Sequence, residues 1–288
     1  MNDYSIWNCC FARGRLPADF VGGVLVASNQ GTIEVPMAFT VLASAPHVAP
    51  KRVILVDSGF EGGRSMTGNV FESVEPVATV LGKLGFAPAD VDAVVLTHLH
   101  FDHAGNFNLF PNAKVFAQRI EFESWKTVVA DMGDTSIGKR SWKLSSIDVS
   151  LLERFGAAVD DGRITLLDGD AEIAPGIFCR LARDSHTFGS QWVEIQTPDG
   201  PYVVAGDCVY LSVNVERMWP PGYVQGNPWN LMRVFEQLRD LVGAEHLDRI
   251  VPGHDMTTFS RHPSWTAGAN PIAEVHLAVG EPSRRPVS

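Results

Sequence analysis

The segment Thr97–Asn106, "THLHFDHAGN", constrains the fold of this chain more than any other feature. It places His98, His100, Asp102 and His103 close together, directly after the apolar run "VDAVVL". Imidazole and carboxylate groups are the ligands that borderline divalent cations prefer in proteins. Because a glycine-containing turn lets several side chains converge on one point, the pattern predicts a metal site where a buried strand ends.

Three more candidate ligands follow other apolar runs of the sequence. They are His186 in "DSHTFGSQ", Asp207 in "VVAGDCVY" and His254 in "IVPGHD". If these strand ends meet the histidine cluster at one edge, seven ligands are available. Since one tetrahedral site uses four, the set predicts two metal ions.

Runs of β-branched and aromatic residues predict two series of strands. The first series comprises "VGGVLVA" (21–27), "IEVPMAFTVLA" (33–43), "RVILVDSG" ending at Asp57, "VDAVVLTH" and "AKVFAQ". The second comprises "RITLLD", "GIFCRLA", "SQWVEIQT", "PYVVAGD" and "LDRIVPGHD", which is the last clear strand. Helices are predicted near 75–84, 119–129 and 229–242, and residues 131–146 suit an irregular surface excursion.

Strands that come in runs with helices between them favour packed sheets flanked by helices over a doubly wound sheet. One domain over residues 1–288 is the simplest division, and each strand-rich half could supply one sheet of a sandwich.

Composition limits the partners and the compartment. The formal net charge of -10 and the lack of a basic cluster argue against a nucleic-acid partner. The sequence has neither an apolar run long enough to span a membrane nor an N-terminal signal pattern, so we expect a cytoplasmic protein without a membrane partner. The four cysteines, at positions 9, 10, 179 and 208, are expected to be reduced thiols. The sequence leaves open whether the protein forms a homodimer.

The string H-x-H-x-D-H, followed by a His, an Asp and a His at strand ends, resembles the metallo-β-lactamase superfamily over the span from Asp57 to His254. The resemblance implies an αββα sandwich of mixed α/β class. It also implies that Asp57 orders the metal loops through hydrogen bonds and that Asp207 bridges the two ions. The remaining ligands would divide into His98, His100 and His186 for one metal, and Asp102, His103 and His254 for the other.

Two neighbouring divalent ions lower the pKa of a shared water, so a bridging hydroxide would be the nucleophile of a hydrolysis. Zinc is the expected metal, and manganese, iron and cobalt stay open because His and Asp ligands accept them all. The metals alone do not select a substrate.

Tyr210, three residues beyond Asp207, favours a lactone substrate. A phenol there could donate a hydrogen bond to the oxyanion that forms at an ester carbonyl. A tyrosine at this offset and Phe101 resemble the N-acyl homoserine lactonase branch, whereas Phe188 stands where that branch would imply a proline. The expected reaction is the opening of an N-acyl homoserine lactone or another small lactone, including an aromatic one. Either Asp102 or Asp207 would carry the proton to the leaving oxygen.

The segment "VERMWPPGYVQGNPW" (215–229) is a candidate substrate wall or lid. Its Trp219 and Trp229 are pocket candidates, together with Phe101 and Phe11. Cys208, next to the bridging position, is interpreted as a small buried apolar residue and not as a ligand.

Other functions stay open at this point. A thioester hydrolase of the glyoxalase II type would use the same metal motif, although no basic cluster for glutathione carboxylates is found. A ring-opening cyclic amide hydrolase shares the chemistry. A nuclease fits the acidic composition poorly, a redox role would require a flavin partner domain, and a non-catalytic ligand binder is the least favoured.

Overall fold

Two β-sheets form the inner layers of the protein, which a computed structural model describes over residues 3–23, 31–61, 70–132 and 142–286. The strands are β1 (Tyr4–Pro17), β2 (Thr32–Ser44), β3 (Val53–Val56), β4 (Ala93–Val95), β5 (Lys114–Gln118), β6 (Ile164–Leu167), β7 (Ala171–Ala174), β8 (Ile177–Arg183), β9 (Gly189–Thr197), β10 (Gly200–Gly206), β11 (Ile250–Pro252), β12 (Ser264–Ala267) and β13 (Asn270–His276). The larger sheet has the order β12-β13-β1-β2-β3-β4-β5-β6, and the smaller has the order β11-β10-β9-β8-β7.

Helices cover the outer faces of both sheets. They are α1 (Ala18–Gly22), α2 (Val77–Lys83), α3 (Phe101–Ala104), α4 (Arg119–Asp131), α5 (Val149–Asp160), α6 (Ser212–Arg217), α7 (Pro228–Val242) and α8 (Thr258–Arg261), with short 3-10 turns elsewhere. Within the described segments, none of the helices has both the length and the apolar character needed to cross a bilayer.

The alternation of side chains along β3 shows how the layers are packed. Ile54 and Val56 point into the core between the two sheets, whereas Val53 and Leu55 point into the core under the helices of the larger sheet. Successive side chains of a strand face opposite sides, so a strand that is apolar throughout is buried on both faces. The layers are therefore helix, sheet, sheet and helix, which confirms the predicted αββα sandwich.

The helix α7 covers the outer face of the smaller sheet. The Asn227 side chain accepts a hydrogen bond from the Trp229 backbone N–H, Pro228 occupies the first turn, and Gly243 ends the helix with a positive φ of 87°. Its buried face has helical spacing and consists of Leu231, Val234, Phe235, Leu238 and Val242.

Two sequence predictions, one near each end of the chain, differ from the structure. Residues 264–276 form two further strands, so "LDRIVPGHD" is not the last one, and β13 returns to the larger sheet to pair with β1. The two sheets thus follow the two predicted strand series except for this final hairpin and for β6, the first strand of the second series, which pairs with β5 in the larger sheet. The predicted strand 21–27 is wrong at its start, because Val21 and Gly22 end the helix α1. Residues 24–30 lie outside the described residues.

The predicted irregular surface excursion at 131–146 agrees only in part with the structure, in which Asp131, Trp142 and Lys143 are exposed. Residues 133–141 lie outside the described residues, but Leu144 is buried in the core and the following two serines face a cavity. The long strand β1 and the helix α5 were not predicted at all.

We predict that Leu238→Ala lowers the free energy of unfolding by about 2–5 kcal/mol, because it leaves a cavity between α7 and the sheet. Urea denaturation followed by circular dichroism measures the change. Trp229→Ala is the control on the same helix, since this side chain is 79% exposed and its loss should change stability by less than about 0.5 kcal/mol. Equal losses in the two variants would contradict the layer arrangement.

Candidate metal centre

The ends of strands from both sheets meet at one edge of the sandwich. His98 follows β4 of the larger sheet, whereas Asp207 and His254 follow β10 and β11 of the smaller sheet. His186 lies in the turn between β8 and β9. The residues predicted from the strand ends are therefore brought together.

The seven side chains form two groups of ligand atoms. One group is His98, His100, His186 and Asp207, and the other is Asp102, His103 and His254. Within each group the candidate ligand atoms lie within 4.8 Å of one another. Of the other histidines, those at 47, 246, 262 and 276 belong to neither group.

Asp207 lies between the two groups and faces both. Its Oδ2 is 3.8 Å from His98 Nε2 and 3.3 Å from His186 Nε2. Its Oδ1 is 3.1 Å from His103 Nε2 and also 3.1 Å from His254 Nε2. A carboxylate that presents one oxygen to each group has the geometry of a bridging ligand.

Asp57 holds two parts of the metal loop in place. This residue follows β3 with a positive φ of 65°, and its carboxylate accepts hydrogen bonds from the Thr97 backbone N–H at 2.8 Å and the Thr97 hydroxyl at 3.0 Å. His103 Nδ1 lies 2.7 Å from Asp57 Oδ2 and donates to it. The donated proton leaves the lone pair of His103 on Nε2, which points at the centre.

Other hydrogen bonds orient two further imidazoles. His254 Nδ1 donates to the Pro36 carbonyl oxygen at 3.0 Å, so its lone pair is on Nε2. His100 Nε2 lies 2.7 Å from Gln225 Oε1 and donates to it, so its lone pair is on Nδ1. In both rings the nitrogen that faces the centre is the one able to bind a cation.

The buried polar atoms of the centre fit a pair of cations. His98 Nε2, His103 Nε2 and Asp207 Oδ1 are buried and have no hydrogen-bond partner in the described residues. Burial lowers the pKa of His98 and of His186 well below the usual value, which keeps both rings in the neutral form that binds metals. Burial alone would raise the pKa of Asp207, but the imidazoles of His103 and His254 hold that pKa well below its usual range. Burial would lower the pKa of His103 and of His254, but the Asp207 carboxylate raises both. His98 and His186 are therefore neutral, whereas His103 and His254 must lose a proton from Nε2 before they bind a cation.

Glu121, which was not predicted, ties together the loops of the first group. Its carboxylate, 1% exposed, accepts hydrogen bonds from the backbone N–H groups of Leu99 and Gly189 at 3.1 and 2.7 Å, from Thr187 Oγ1 at 2.8 Å and from Trp125 Nε1 at 2.8 Å. Leu99 separates two histidine ligands, and Thr187 follows a third. Burial raises the pKa of Glu121, and the four donors act in the opposite direction. The sequence contained a signal for this role, because Glu121 is an acidic residue on the otherwise apolar face of α4.

A cavity of about 280 Å³ opens over the centre. Its lining includes the predicted residues Phe101, Asp102, Asp207 and Tyr210. The predicted ligands His100 and His254 also line it. The rest of the lining is mostly apolar and comprises Leu16, Pro17, Phe20, Met37, Phe71, Ser145, Ser146 and Tyr223. The cavity thus joins the candidate metal ligands to an apolar wall.

Tyr210 lies between the two groups of ligands. Its ring centroid is 5.4 Å from that of His186 and 5.2 Å from that of His254. Burial and the neighbouring Asp207 carboxylate raise the pKa of Tyr210 well above its usual value. The phenol therefore keeps its proton and is a hydrogen-bond donor at neutral pH.

Three of the predicted pocket residues do not line this cavity. Phe11 is fully buried in the core, where it packs against Phe39 and Phe60. Trp229 is exposed on α7, and Trp219 lies beside Gly23. The pattern of aromatic residues could not separate pocket from core, because both environments favour the same side chains.

Two other residues discussed above have packing roles. Phe188 contacts Trp125 edge to face, with ring centroids 5.0 Å apart. Cys208 is buried, and burial raises the pKa of its thiol to about 12. It belongs to neither group of ligand atoms.

An αββα sandwich with two adjoining groups of histidine and aspartate ligands defines the class of dinuclear metal hydrolases. The family model of the metallo-β-lactamase superfamily matches residues 47–254. Because the match spans more than half of the sequence, the chain belongs to this superfamily.

Several proteins similar to this chain are N-acyl homoserine lactonases. An N-acyl homoserine lactonase of a Bacillus species is 26% identical over 221 residues, which is 76% of each chain. A solved N-acyl homoserine lactone hydrolase with N-hexanoyl-L-homoserine at its catalytic metal centre has a TM-score of 0.67 at 20% identity, covering 91% of this chain and 98% of its own. The dizinc quorum-quenching lactonase AidC has a TM-score of 0.65 at 16% identity, covering 88% of both chains. The two solved structures support the fold assignment.

We predict that Glu121→Gln weakens zinc binding about 10- to 100-fold, because the amide places its NH2 group against two of the four donors and loosens the loops of the first group. Isothermal titration with zinc measures the affinity. Glu274→Gln is the matched control, since Glu274 is also buried and accepts hydrogen bonds from Ser283 and the Arg284 backbone. Zinc affinity that is the same in both variants would contradict the role of Glu121.

Proposed function

We propose that this protein opens lactone rings by metal-dependent hydrolysis, with N-acyl homoserine lactones as the first candidate substrates. The observation that carries the proposal is the position of Tyr210, a protonated phenol in the cavity wall beside Asp207 and between His186 and His254. The resemblance to N-acyl homoserine lactonases supports the same substrate class.

His98, His100 and His186 would hold one metal ion, and Asp102, His103 and His254 a second, with Asp207 shared between them. Two bound divalent ions would supply an activated water near neutral pH and a Lewis acid for the substrate carbonyl. Zinc is the proposed metal, and the dizinc relative supports this choice.

Tyr210 would donate a hydrogen bond to the carbonyl oxygen as negative charge develops there. Such a donor stabilises the transition state more than the ground state, which accelerates ring opening. The water oxygen bonds to the carbonyl carbon, the ring C–O bond breaks, and the leaving oxygen takes up a proton to give a hydroxy acid.

Asp102 is the better candidate to carry that proton. Both carboxylates line the cavity, but the Asp102 side chain is 13% exposed, whereas the Asp207 side chain is 3% exposed and faces imidazoles through both oxygens. A carboxylate with access to the cavity can receive the proton of the water and pass it to the leaving oxygen.

The apolar wall suits an acyl chain or a ring. Phe71 and Phe101 contact each other with centroids 6.3 Å apart, and Leu16 and Met37 extend the same apolar surface. The described lining contains no lysine or arginine, so this part of the cavity offers no cation for the carboxylates of a glutathione thioester. That thioester is therefore the appropriate comparison substrate.

We predict that Tyr210→Phe lowers kcat for N-hexanoyl homoserine lactone by about 100- to 1000-fold while metal content stays unchanged. Titration of the released acid at constant pH measures the rate, and elemental analysis measures the metal. The wild-type protein should turn over the lactone faster than S-lactoylglutathione.

Tyr202→Phe is the control, because this tyrosine is half-buried against His276 and does not line the cavity. Lactone turnover in Tyr210→Phe equal to that of the wild type would remove the reason for preferring lactones.

A further inference from the structure

Three hydroxyl groups form a cluster in the cavity wall, which we call the hydroxyl cluster: Ser145, Ser146 and Tyr223. The Tyr223 hydroxyl lies 2.6 Å from Ser145 Oγ and 3.1 Å from Ser146 Oγ. All three residues line the cavity, and the serines are only half-buried. A ligand in the cavity can therefore reach these oxygens.

The hydrogen bond that Ser145 makes outside the cluster determines which hydroxyl is the donor in each bond within it. Ser145 Oγ donates to the Trp142 carbonyl oxygen at 2.9 Å, and a carbonyl oxygen can only accept. Since a serine hydroxyl has one proton, Tyr223 must be the donor to Ser145. The Tyr223 proton is then used, so Ser146 is the donor to Tyr223.

In this arrangement all three hydroxyl protons are used, whereas lone pairs on the hydroxyl oxygens remain able to accept hydrogen bonds. Each hydroxyl oxygen has two lone pairs. Ser146 Oγ receives no proton from the other two hydroxyls, and the Tyr223 oxygen receives one at most. The hydroxyl cluster therefore presents lone pairs to the cavity, and its natural complement is an N–H or O–H group of a ligand.

The cluster lies close to the first group of metal ligands. The Tyr223 ring centroid is 6.3 Å from that of His100 and 6.2 Å from that of His186. The Ser146 carbonyl oxygen accepts a hydrogen bond from the Phe101 backbone N–H at 3.0 Å, which fixes the serine segment to the metal loop. Gln225 adds a second connection, because it contacts His100 and donates to the Trp142 carbonyl oxygen at 2.9 Å.

Tyr210 and Tyr223 thus flank the same imidazole. The His186 ring centroid is 5.4 Å from that of Tyr210 and 6.2 Å from that of Tyr223. A substrate whose carbonyl oxygen meets Tyr210 would bring the substituent on the adjacent carbon toward the hydroxyl cluster. In an N-acyl homoserine lactone that substituent begins with an amide N–H.

We propose that the hydroxyl cluster of Ser145, Ser146 and Tyr223 is a specificity site that accepts a hydrogen bond from an N–H or O–H group next to the lactone carbonyl. The proposal rests on the lactonase function proposed above and narrows its substrates to lactones that carry such a donor. A plain alkyl or aryl lactone lacks the donor, and it therefore gains nothing from the cluster.

The test compares N-hexanoyl homoserine lactone with its carba analogue, in which a CH2 group replaces the amide N–H. One hydrogen bond to a neutral acceptor should give the wild-type protein a kcat/KM about 3- to 10-fold higher for the amide. In Tyr223→Phe and Ser146→Ala this preference should fall toward one, while kcat/KM for the carba analogue stays close to the wild-type value.

Two controls separate recognition of the donor from other effects. Tyr210→Phe should slow both substrates by the same factor and keep the preference, because its hydrogen bond goes to the carbonyl oxygen that both substrates share. Tyr202→Phe should change neither substrate. Thermal unfolding and metal content of each variant identify any that fail to fold, and the two cluster variants provide independent tests.

Equal effects of Tyr223→Phe and Ser146→Ala on both substrates, or a wild-type protein with no preference for the amide, would overturn the specificity site while leaving the lactonase function intact. A metal-loaded wild-type protein that opens neither lactone would overturn both proposals.

Discussion

The carboxylate of Asp207 is the group on which the arrangement of the centre depends. It is buried, and it faces imidazoles from both groups of ligands. An ionised carboxylate in such an environment costs several kcal/mol unless positive charge compensates it. Its neighbours come from β4 of one sheet and from β11 of the other, so the same interaction also joins the two sheets at this edge. The contacts of one carboxylate therefore connect the site to the edge at which strands of both sheets end.

Two other buried carboxylates hold the ligands without belonging to either group. Asp57 fixes the His103 ring and the loop that begins at Thr97, and Glu121 fixes the backbone on both sides of the first group. Each accepts hydrogen bonds from backbone N–H groups, which are rigid donors in fixed positions. The ligands are therefore oriented before a cation arrives, which reduces the conformational entropy lost on binding.

The motif H-x-H-x-D-H and the strand-end positions predicted the seven side chains of the centre, because both are local patterns. The αββα sandwich was implied by the resemblance that this motif carries, and the strand runs alone favoured packed sheets flanked by helices. The sequence did not predict β1, whose run "YSIWNCCFARGRLP" contains polar residues and pairs on one side with the next strand, β2, and on the other with β13, which is far away in sequence. It also did not predict the hydroxyl cluster, since Ser145 and Tyr223 meet only in the folded chain. The helix α5 is different: Leu151, Phe155 and the Asp148 cap carry a helical signal that was available in the sequence.

The central claim is that Asp207 lies between two metal ions. Anomalous X-ray diffraction from crystals of the zinc-loaded, active protein, measured on both sides of the zinc absorption edge, tests it most directly. We expect two peaks, one beside His98, His100 and His186 and the other beside Asp102, His103 and His254, with the Asp207 carboxylate between them. A single peak, or an active protein whose crystals contain no metal, would contradict the claim.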